Sequence, residues 1–277
     1  MATTKSVRLA RWLAWVVLVV VVLGPLFWIV ASSFKNPSEI IRHVPTILPN
    51  EFYLGNYEYL FSSTRFPTYL VNSVAVAVLT MVATVVAATL AGYAMYRLRV
   101  RGSRSVGHAV LLSYMIPGTL LLVPVYVMLA SVGLVDTIAG LVVVNVAFAS
   151  PFCVWLLRGF FDAIPVELDE AAAVDGAGPL ATLWKVNLPL LAPGLATIGL
   201  YAFIFSWTEF VLASQLIVSD DLKTLPIGLS AIMGQYNIQW GWLMAATSVT
   251  MLPVALLFAA VGRYFVGGLT TGAVKGA

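Results

Sequence analysis

Long stretches with almost no charged side chains set the limits on what this chain can fold into. A helix needs roughly 20 apolar residues to cross about 30 Å of hydrocarbon, and six stretches of this kind follow one another. They lie at residues 12–34, 68–96, 106–130, 137–157, 190–218 and 241–262. The pattern predicts an all-α, polytopic membrane protein with six transmembrane helices, which form a single domain over residues 1–277.

The composition supports this prediction. Charged residues make up 10% of the chain, whereas a soluble domain carries roughly 25%. So few charges cannot cover a water-facing surface, and we expect membrane lipid to contact much of the protein. The net charge of +3 is too small to indicate a nucleic-acid partner. The single cysteine, Cys153, excludes a disulfide framework and is interpreted as a small apolar side chain within a helix.

The basic residues are unevenly distributed among the predicted loops. With a cytoplasmic N-terminus, eleven of the 15 lysines and arginines lie inside: Lys5, Arg8, Arg11, Arg97, Arg99, Arg101, Arg104, Arg158, Lys185, Arg263 and Lys275. Only Lys35, Arg42, Arg65 and Lys223 lie outside. Because cytoplasmic loops are enriched in Lys and Arg, we predict a multi-pass protein of the bacterial cytoplasmic membrane with both termini in the cytoplasm.

Motifs that carry chemistry are missing from the sequence. It contains no G-x-x-x-x-G-K-S/T phosphate loop, no H-E-x-x-H and no G-x-S-x-G. His43 and His108 are the two histidines, and no triad can be assembled around either. We therefore predict no catalytic residue, no metal site and no cofactor bound by this chain.

Glu209 is the one carboxylate inside a predicted span. It comes 20 residues after Pro189, about 30 Å along a helix, and is therefore expected near the outer edge of the bilayer. Two interpretations stay open. The carboxylate is either hydrated at the interface or paired with a neighbouring helix, or it lies with Trp207 on a substrate path, where it would accept hydrogen bonds from a hydroxyl-rich solute.

The inside segment 158–189 predicts two short helices joined by a glycine. Pro165 suits a first helical position, acids follow in the first turns, and Ala171 to Ala173 favour a helix with little side-chain bulk. Gly176 is placed to end this helix in a left-handed conformation. Pro179 can open a second short helix, which Pro189 is expected to stop.

The charge of this segment leaves two interpretations open. Five acids stand against Arg158 and Lys185, a net charge of −3: Asp162, Glu167, Asp169, Glu170 and Asp175. An anionic membrane surface would favour basic residues instead. The segment is therefore either a docking helix for a protein groove that carries Arg or Lys, or a solvated loop.

A family resemblance bears on this choice. Glu170-Ala171-Ala172 followed by Gly176, Leu188-Pro189-Leu190 and Pro193 resembles the EAA loop of bacterial ABC-importer permeases. Further similarity to the maltose-type carbohydrate permeases, and to the shorter permease of each pair, covers most of the chain: Phe34-Lys35, Glu39, Asn56-Tyr57, Gly133 to Thr137, Trp207, Glu209-Phe210 and Gly268 to Gly276. The chain departs from many relatives at Thr208, where they carry Asn.

The resemblance implies a heterodimeric pore formed with a second, homologous permease. Two ATP-hydrolysing subunits, which bind the ATP and Mg, would lie below it and an extracytoplasmic solute-binding protein above. The implied ATPase-coupling residues are Glu170, Ala171, Ala172, Asp175, Gly176 and Pro189, and the implied tail toward the ATPase dimer is Thr271, Gly272, Ala273 and Lys275. A sugar or oligosaccharide is the expected solute. The alternatives are an ABC permease for a phosphorylated polyol of the glycerol-phosphate type or for an oligopeptide, or an unrelated secondary carrier.

Overall fold

The chain is described by a computed structural model that covers residues 5–98, 100–233 and 239–273. All regular structure in these ranges is helical, which confirms the predicted all-α class. The α-helices are α1 (Lys5–Ser33), α2 (Pro37–Ile40), α3 (Gly55–Ser62), α4 (Phe66–Gly92), α5 (Ser103–Tyr114), α6 (Leu122–Ser131), α7 (Ile138–Ala163), α8 (Glu167–Val174), α9 (Pro179–Thr182), α10 (Leu188–Thr208), α11 (Val211–Leu216), α12 (Leu225–Met233) and α13 (Trp240–Ala273).

Two wider π-helical turns adjoin the α-helices of the described residues. The turn Tyr93–Arg97 extends α4, and the turn Leu183–Asn187 joins α9 to α10. Two short 3-10 turns, Gly118–Leu121 and Asp220–Leu222, complete the regular structure of the described residues.

Five helical stretches among the described residues are long and apolar enough to cross a bilayer. They are Arg11–Ser33, Phe66–Arg97, Ile138–Ala163, Pro179–Thr208 and Trp240–Gly262. Each overlaps one of the predicted spans. A helix can extend beyond its apolar run into charged sequence. At the end of α7, Arg158 and Asp162 lie beyond the predicted span and form an exposed ion pair (3.5 Å). Hydropathy marks the apolar part of such a helix rather than its end.

The predicted third span, 106–130, does not form one continuous helix. α5 ends at Tyr114, residues 115–117 are not helical, and the chain resumes at Gly118 as a 3-10 turn that leads into α6. The physical reason is Pro117, which has no N–H and disfavours helical geometry in the residue before it. Because 115–117 are apolar apart from this proline, hydropathy alone does not register the break.

The predicted fifth span, 190–218, is also divided. α10 ends at Thr208, where Glu209 turns to an extended conformation with φ −68° and ψ 122°, and α11 follows after Phe210. The Glu209 carboxylate accepts hydrogen bonds from the backbone N–H groups of Leu212 (2.7 Å) and Ala213 (2.8 Å). It therefore occupies donors at the start of α11 that have no partner within the helix.

The chain divides into two compact units. The first takes Met1–Pro67 and Gly228–Leu252. Its interior is organised by Asn56, which is fully buried and donates to the carbonyls of Ser33 (2.9 Å) and Lys35 (2.8 Å). A Cβ at Gly241 would lie 2.3 Å from the Asn56 amide oxygen, so only glycine allows this approach. No residue in the most apolar part of Arg11–Ser33 is buried, so α1 exposes most of its apolar surface.

The second unit takes Thr68–Ile227 and Pro253–Ala277. Its core lies where α7 packs against α10, and the close approach is visible at Gly194, where a Cβ would meet the ring of Phe160 at 2.7 Å. Cys153 is fully buried in this core, as its interpretation as an apolar side chain requires. An Asn145 amide that donates to Ser206 (2.9 Å) links the same two helices through a buried hydrogen bond.

Candidate functional site

The segment between α7 and α10 carries the sequence features that point to a partner. α7 ends at Ala163, Ile164 is extended, and α8 begins at Glu167, two residues after the predicted first helical position at Pro165. Three acids, Glu167, Asp169 and Glu170, lie in the first turn of α8. Carboxylates there are stabilised by the positive end of the helix dipole.

The end of α8 has a left-handed glycine, as the sequence predicts. Gly176 has φ +80°. Its N–H donates to the carbonyl of Ala173 (3.0 Å), and the N–H of Ala177 donates to the carbonyl of Ala172 (2.9 Å). This pair of bonds is a Schellman motif. It satisfies carbonyls of the last turn and ends α8 sharply before Gly178 and Pro179 open α9.

Pro189 does not stop the second helix, contrary to the expectation from the sequence. The helical stretch runs without a break from Pro179 to Thr208, and Pro189 lies near the start of α10. The π-helical turn Leu183–Asn187 accounts for this. A proline in a regular helix would leave the carbonyl four residues earlier without a donor and crowd it, and the wider turn before Pro189 relieves that crowding.

The outer surface of α8 is small and acidic. Glu170, Ala171 and Asp175 are exposed, and Ala172 is half-buried. Two apolar side chains of the same segment are also exposed, Val174 in α8 at 88% and Trp184 in the turn after α9 at 67%. A groove on another protein could approach this backbone closely, because the alanines present no bulk.

The inner side of α8 is held by Arg97, which the sequence identifies only as a marker of topology. The Arg97 Nε lies 2.7 Å from Asp169 Oδ2, and the arginine side chain is 6% exposed. Its two terminal nitrogens donate to the carbonyls of Ile164 (2.9 Å) and Pro165 (3.1 Å). No local pattern in the sequence predicts this contact, since the partners are about seventy residues apart.

Asn187 completes the contact from the other side. Its side-chain nitrogen donates to Asp169 Oδ1 (2.9 Å), and Asn187 is fully buried. We refer to Arg97, Asp169 and Asn187 together as the Asp169 clasp. Tyr93, one turn before Arg97, donates its hydroxyl to the carbonyl of Pro179 (3.0 Å). The whole segment 164–187 is thus tied to the end of α4 and to the turn that leads into α10.

A second carboxylate joins two other loops of the same unit. Asp136 accepts hydrogen bonds from the backbone N–H groups of Val218 and Ser219 (2.9 Å each) and from the Ser219 hydroxyl. Its own N–H donates to the carbonyl of Leu216 (2.9 Å). The Ser219 hydroxyl and then the two backbone N–H groups hold the pKa of Asp136 below its usual range. We refer to Asp136 with residues 216–219 as the Asp136 clasp.

The predicted path residues lie at the end of α10. Trp207 is buried and stacks on Phe203, with ring centroids 5.5 Å apart. The Glu209 carboxylate is engaged by the first turn of α11. This geometry favours pairing with a neighbouring helix over a free acceptor for solute, and a role of Trp207 and Glu209 in a substrate path stays a prediction.

The predicted tail lies partly outside the described residues. Thr271, Gly272 and Ala273 form the last turn of α13, and Lys275 lies outside the described ranges. Among the residues that the structure describes, no three His, Cys, Asp or Glu side chains group as metal ligands.

Comparison with known proteins identifies the class. Residues 85–270 match the family described as "Binding-protein-dependent transport system inner membrane component", and the chain belongs to this family. Its members are membrane components of transport systems. The family therefore confirms the predicted multi-pass inner-membrane permease and the prediction that the subunit itself is not an enzyme.

Individual relatives match along nearly the whole chain. The inner membrane ABC transporter permease protein YcjP of Escherichia coli is 35% identical over 280 residues, covering 100% of both chains. The trehalose transport system permease protein SugB of Mycobacterium tuberculosis is 34% identical, covering 95% of this chain and 97% of the relative. The diacetylchitobiose uptake system permease protein DasC of Streptomyces coelicolor is 32% identical, covering 94% and 95%.

The fold matches that of a solved transporter. A chain in the crystal structure of a bacterial ABC transporter for import of the acidic polysaccharide alginate superposes with a TM-score of 0.85. The match covers 96% of this chain and 99% of that chain, at 23% sequence identity. The two chains share the ABC permease fold.

Proposed function

We propose that this chain is the permease subunit of an ATP-binding-cassette importer and forms half of the translocation pathway for a sugar or oligosaccharide. The observation that carries the proposal is α8, a short helix with an acidic first turn, an exposed alanine surface and a left-handed glycine end. The trehalose and diacetylchitobiose permeases among the relatives support the solute class.

The proposed topology has six crossings and cytoplasmic termini. The third crossing is made by α5 and α6 together, broken at 115–117. The 12 residues of α5 and the 14 residues Gly118–Ser131 span about 18 and 21 Å at 1.5 Å per residue, which together exceed the roughly 30 Å of hydrocarbon. Eleven inside basic residues against four outside support the orientation, which puts 158–189 in the cytoplasm.

The proposed contact with the ATPase is made by the outer surface of α8. Glu170, Ala171, Ala172 and Asp175 would lie in a basic groove of one ATP-hydrolysing subunit, with Gly176 setting the direction of the chain that leaves it. Pro189 and the tail residues Thr271, Gly272, Ala273 and Lys275 are assigned to this side of the complex by family resemblance. ATP and Mg would be bound by the two ATPase subunits.

The remaining partners follow from the class. A second, homologous permease and membrane lipid would cover apolar surface such as that of α1. The most apolar part of α1 is not buried within this chain. An extracytoplasmic solute-binding protein would deliver the solute, as the family description supports. A chain in another crystal structure, that of a bacterial alginate ABC transporter in complex with a periplasmic protein bound to an alginate pentasaccharide, superposes with a TM-score of 0.65. That complex is consistent with the proposed arrangement.

Reconstitution of the complex in proteoliposomes tests the proposal. We expect trehalose or an oligosaccharide, presented with the binding protein, to stimulate ATP hydrolysis and uptake, and glycerol phosphate and oligopeptides to leave both unchanged. The chain purified alone should hydrolyse no ATP. If phosphorylated polyols or peptides are taken up instead of sugars, the solute class is wrong.

Two substitutions test the docking surface directly. Glu170→Lys should release the ATPase, because a close like-charge contact in a basic groove costs several kcal/mol, and Ala172→Trp should do so by bulk. Asp162→Lys, an equal change of charge outside α8, is the matched control and should leave the ATPase bound. Wild-type uptake by both α8 variants with the ATPase retained would mean that the segment is only a solvated connector.

A further inference from the structure

The three acids in the first turn of α8 are used in different ways. Glu167 and Glu170 are exposed. Asp169 instead accepts a hydrogen bond at each carboxylate oxygen, from the Asp169 clasp residues at the end of α4 and before α10. The docking surface does not need Asp169. The helix thus has a second side, whose contacts lie within this chain.

Arg97 contacts both α8 and the residues that lead into it. Its guanidinium engages Asp169 on α8 and the carbonyls of Ile164 and Pro165, which lead into α8. A guanidinium presents donors in a rigid planar fork, so these three contacts keep a fixed mutual geometry. Because the side chain is 6% exposed, loss of the Asp169 carboxylate would leave a mostly buried charge without its counter-charge.

Both donors to Asp169 come from π-helical turns. Arg97 is the last residue of the turn that extends α4, and Asn187 is the last residue of the turn that leads into α10. Such turns are rare and occur frequently at functional sites. Here they bring the ends of two membrane-crossing stretches, Phe66–Arg97 and Pro179–Thr208, to one carboxylate.

We propose that the Asp169 clasp transmits displacement of α8 to α4 and α10 as one rigid body. The inference rests on the proposed function, in which the ATPase moves α8. Arg97 and Asn187 are positioning residues in this proposal, since they contact neither solute nor nucleotide. The outer surface of α8 binds the ATPase, and its inner side passes the movement to the helices.

The first experiment measures coupling in the reconstituted complex with Arg97→Met and Asp169→Asn. We expect solute moved per ATP hydrolysed to fall roughly tenfold, within the range of coupling between sites, while the ATPase stays bound because the outer surface of α8 is intact. Arg97→Lys should recover part of the loss by restoring the charge. The matched control is Arg158→Met, which removes an arginine from an exposed pair with Asp162 and should keep wild-type coupling.

Two results of this experiment would overturn the proposal. Wild-type coupling in both clasp variants would show that α8 moves the helices by another route. Dissociation of the ATPase from the clasp variants would show that the clasp only shapes the docking surface. A wild-type complex without solute-stimulated hydrolysis would reject the proposed function instead.

A distance measurement tests the clasp without any solute. Spin labels on Leu90→Cys in α4 and Val174→Cys in α8 report the separation of these helices; both positions are exposed, and the native Cys153 is buried. In the wild-type complex the distance should be the same with and without ATP. Arg97→Met should broaden it or make it depend on ATP, and Arg158→Met should not. A distance that Arg97→Met leaves unchanged, with and without ATP, would overturn the proposal.

Discussion

Asp169 and Asp136 each hold a loop of the second unit, but their donors differ in kind. Asp169 is bound by side chains from two distant positions, one of them the buried guanidinium of Arg97. Asp136 is bound by Ser219 and by backbone N–H groups of one short segment, and it has the left-handed φ of 56°. The first contact joins separate helices through charge, and the second fixes the local shape of two loops through backbone geometry.

This difference has consequences for how each loop responds to change. Long side chains can keep two helices connected while the helices move together, whereas backbone N–H groups hold their partner only if the loop keeps its conformation. We therefore expect the Asp169 clasp to be sensitive to loss of charge, and the Asp136 clasp to be sensitive to pH and to backbone strain.

The largest effect should come from removing the carboxylate of the Asp169 clasp. Asp169→Ala leaves Arg97 buried without its counter-charge, and breaking a buried pair in this way costs about 3–5 kcal/mol. The measurement is the free energy of unfolding in detergent micelles. Asp162→Ala breaks an exposed pair and should cost no more than about 1 kcal/mol. If both variants lose the same free energy of unfolding, the Asp169 clasp is no more stabilising than an exposed ion pair.

An intermediate effect is expected at the two left-handed glycines. Gly176 (φ +80°) and Gly133 (φ +70°) both have open space where a Cβ would be placed. Alanine at either position should therefore cost only the conformational term, about 1–2 kcal/mol. Unfolding should be affected alike, but only Gly176→Ala should reduce uptake. A similar loss of uptake with Gly133→Ala would show that the two loops are equally involved in transport.

The smallest effect should be the pH response of the Asp136 clasp. Hydrogen bonds from Ser219 and Val218 lower the pKa of Asp136, so its contribution to stability is present above the ordinary carboxyl pKa of about 3.9. It is lost as the pH falls through the lower pKa of the folded state. Wild type and Asp136→Asn should differ at neutral pH and converge under acid. A constant difference across this range would mean that the charge of Asp136 does not stabilise the loops.

Local pattern allowed part of this structure to be predicted. Apolar runs anticipated the long helices, and the order of acids, alanines and Gly176 anticipated α8 with its left-handed end, because each depends on neighbouring residues. For Arg97 the sequence predicts only a cytoplasmic location, since its partner Asp169 is 72 residues away. Glu209 is a candidate for the substrate path because it is the one carboxylate within a predicted span. No neighbouring residue predicts that α10 ends at Thr208 or that the carboxylate caps α11.

The π-helical turn Tyr93–Arg97 constrains the number of residues in this stretch of the chain, as well as their types. Such a turn holds an extra residue compared with an α-helical turn. Deletion of one residue would restore a regular helix and rotate every later side chain by about 100°, so that Arg97 would no longer be directed at Asp169. In an alignment of relatives, a single-residue gap in this stretch would therefore indicate a differently held loop, even where both the arginine and the aspartate are retained.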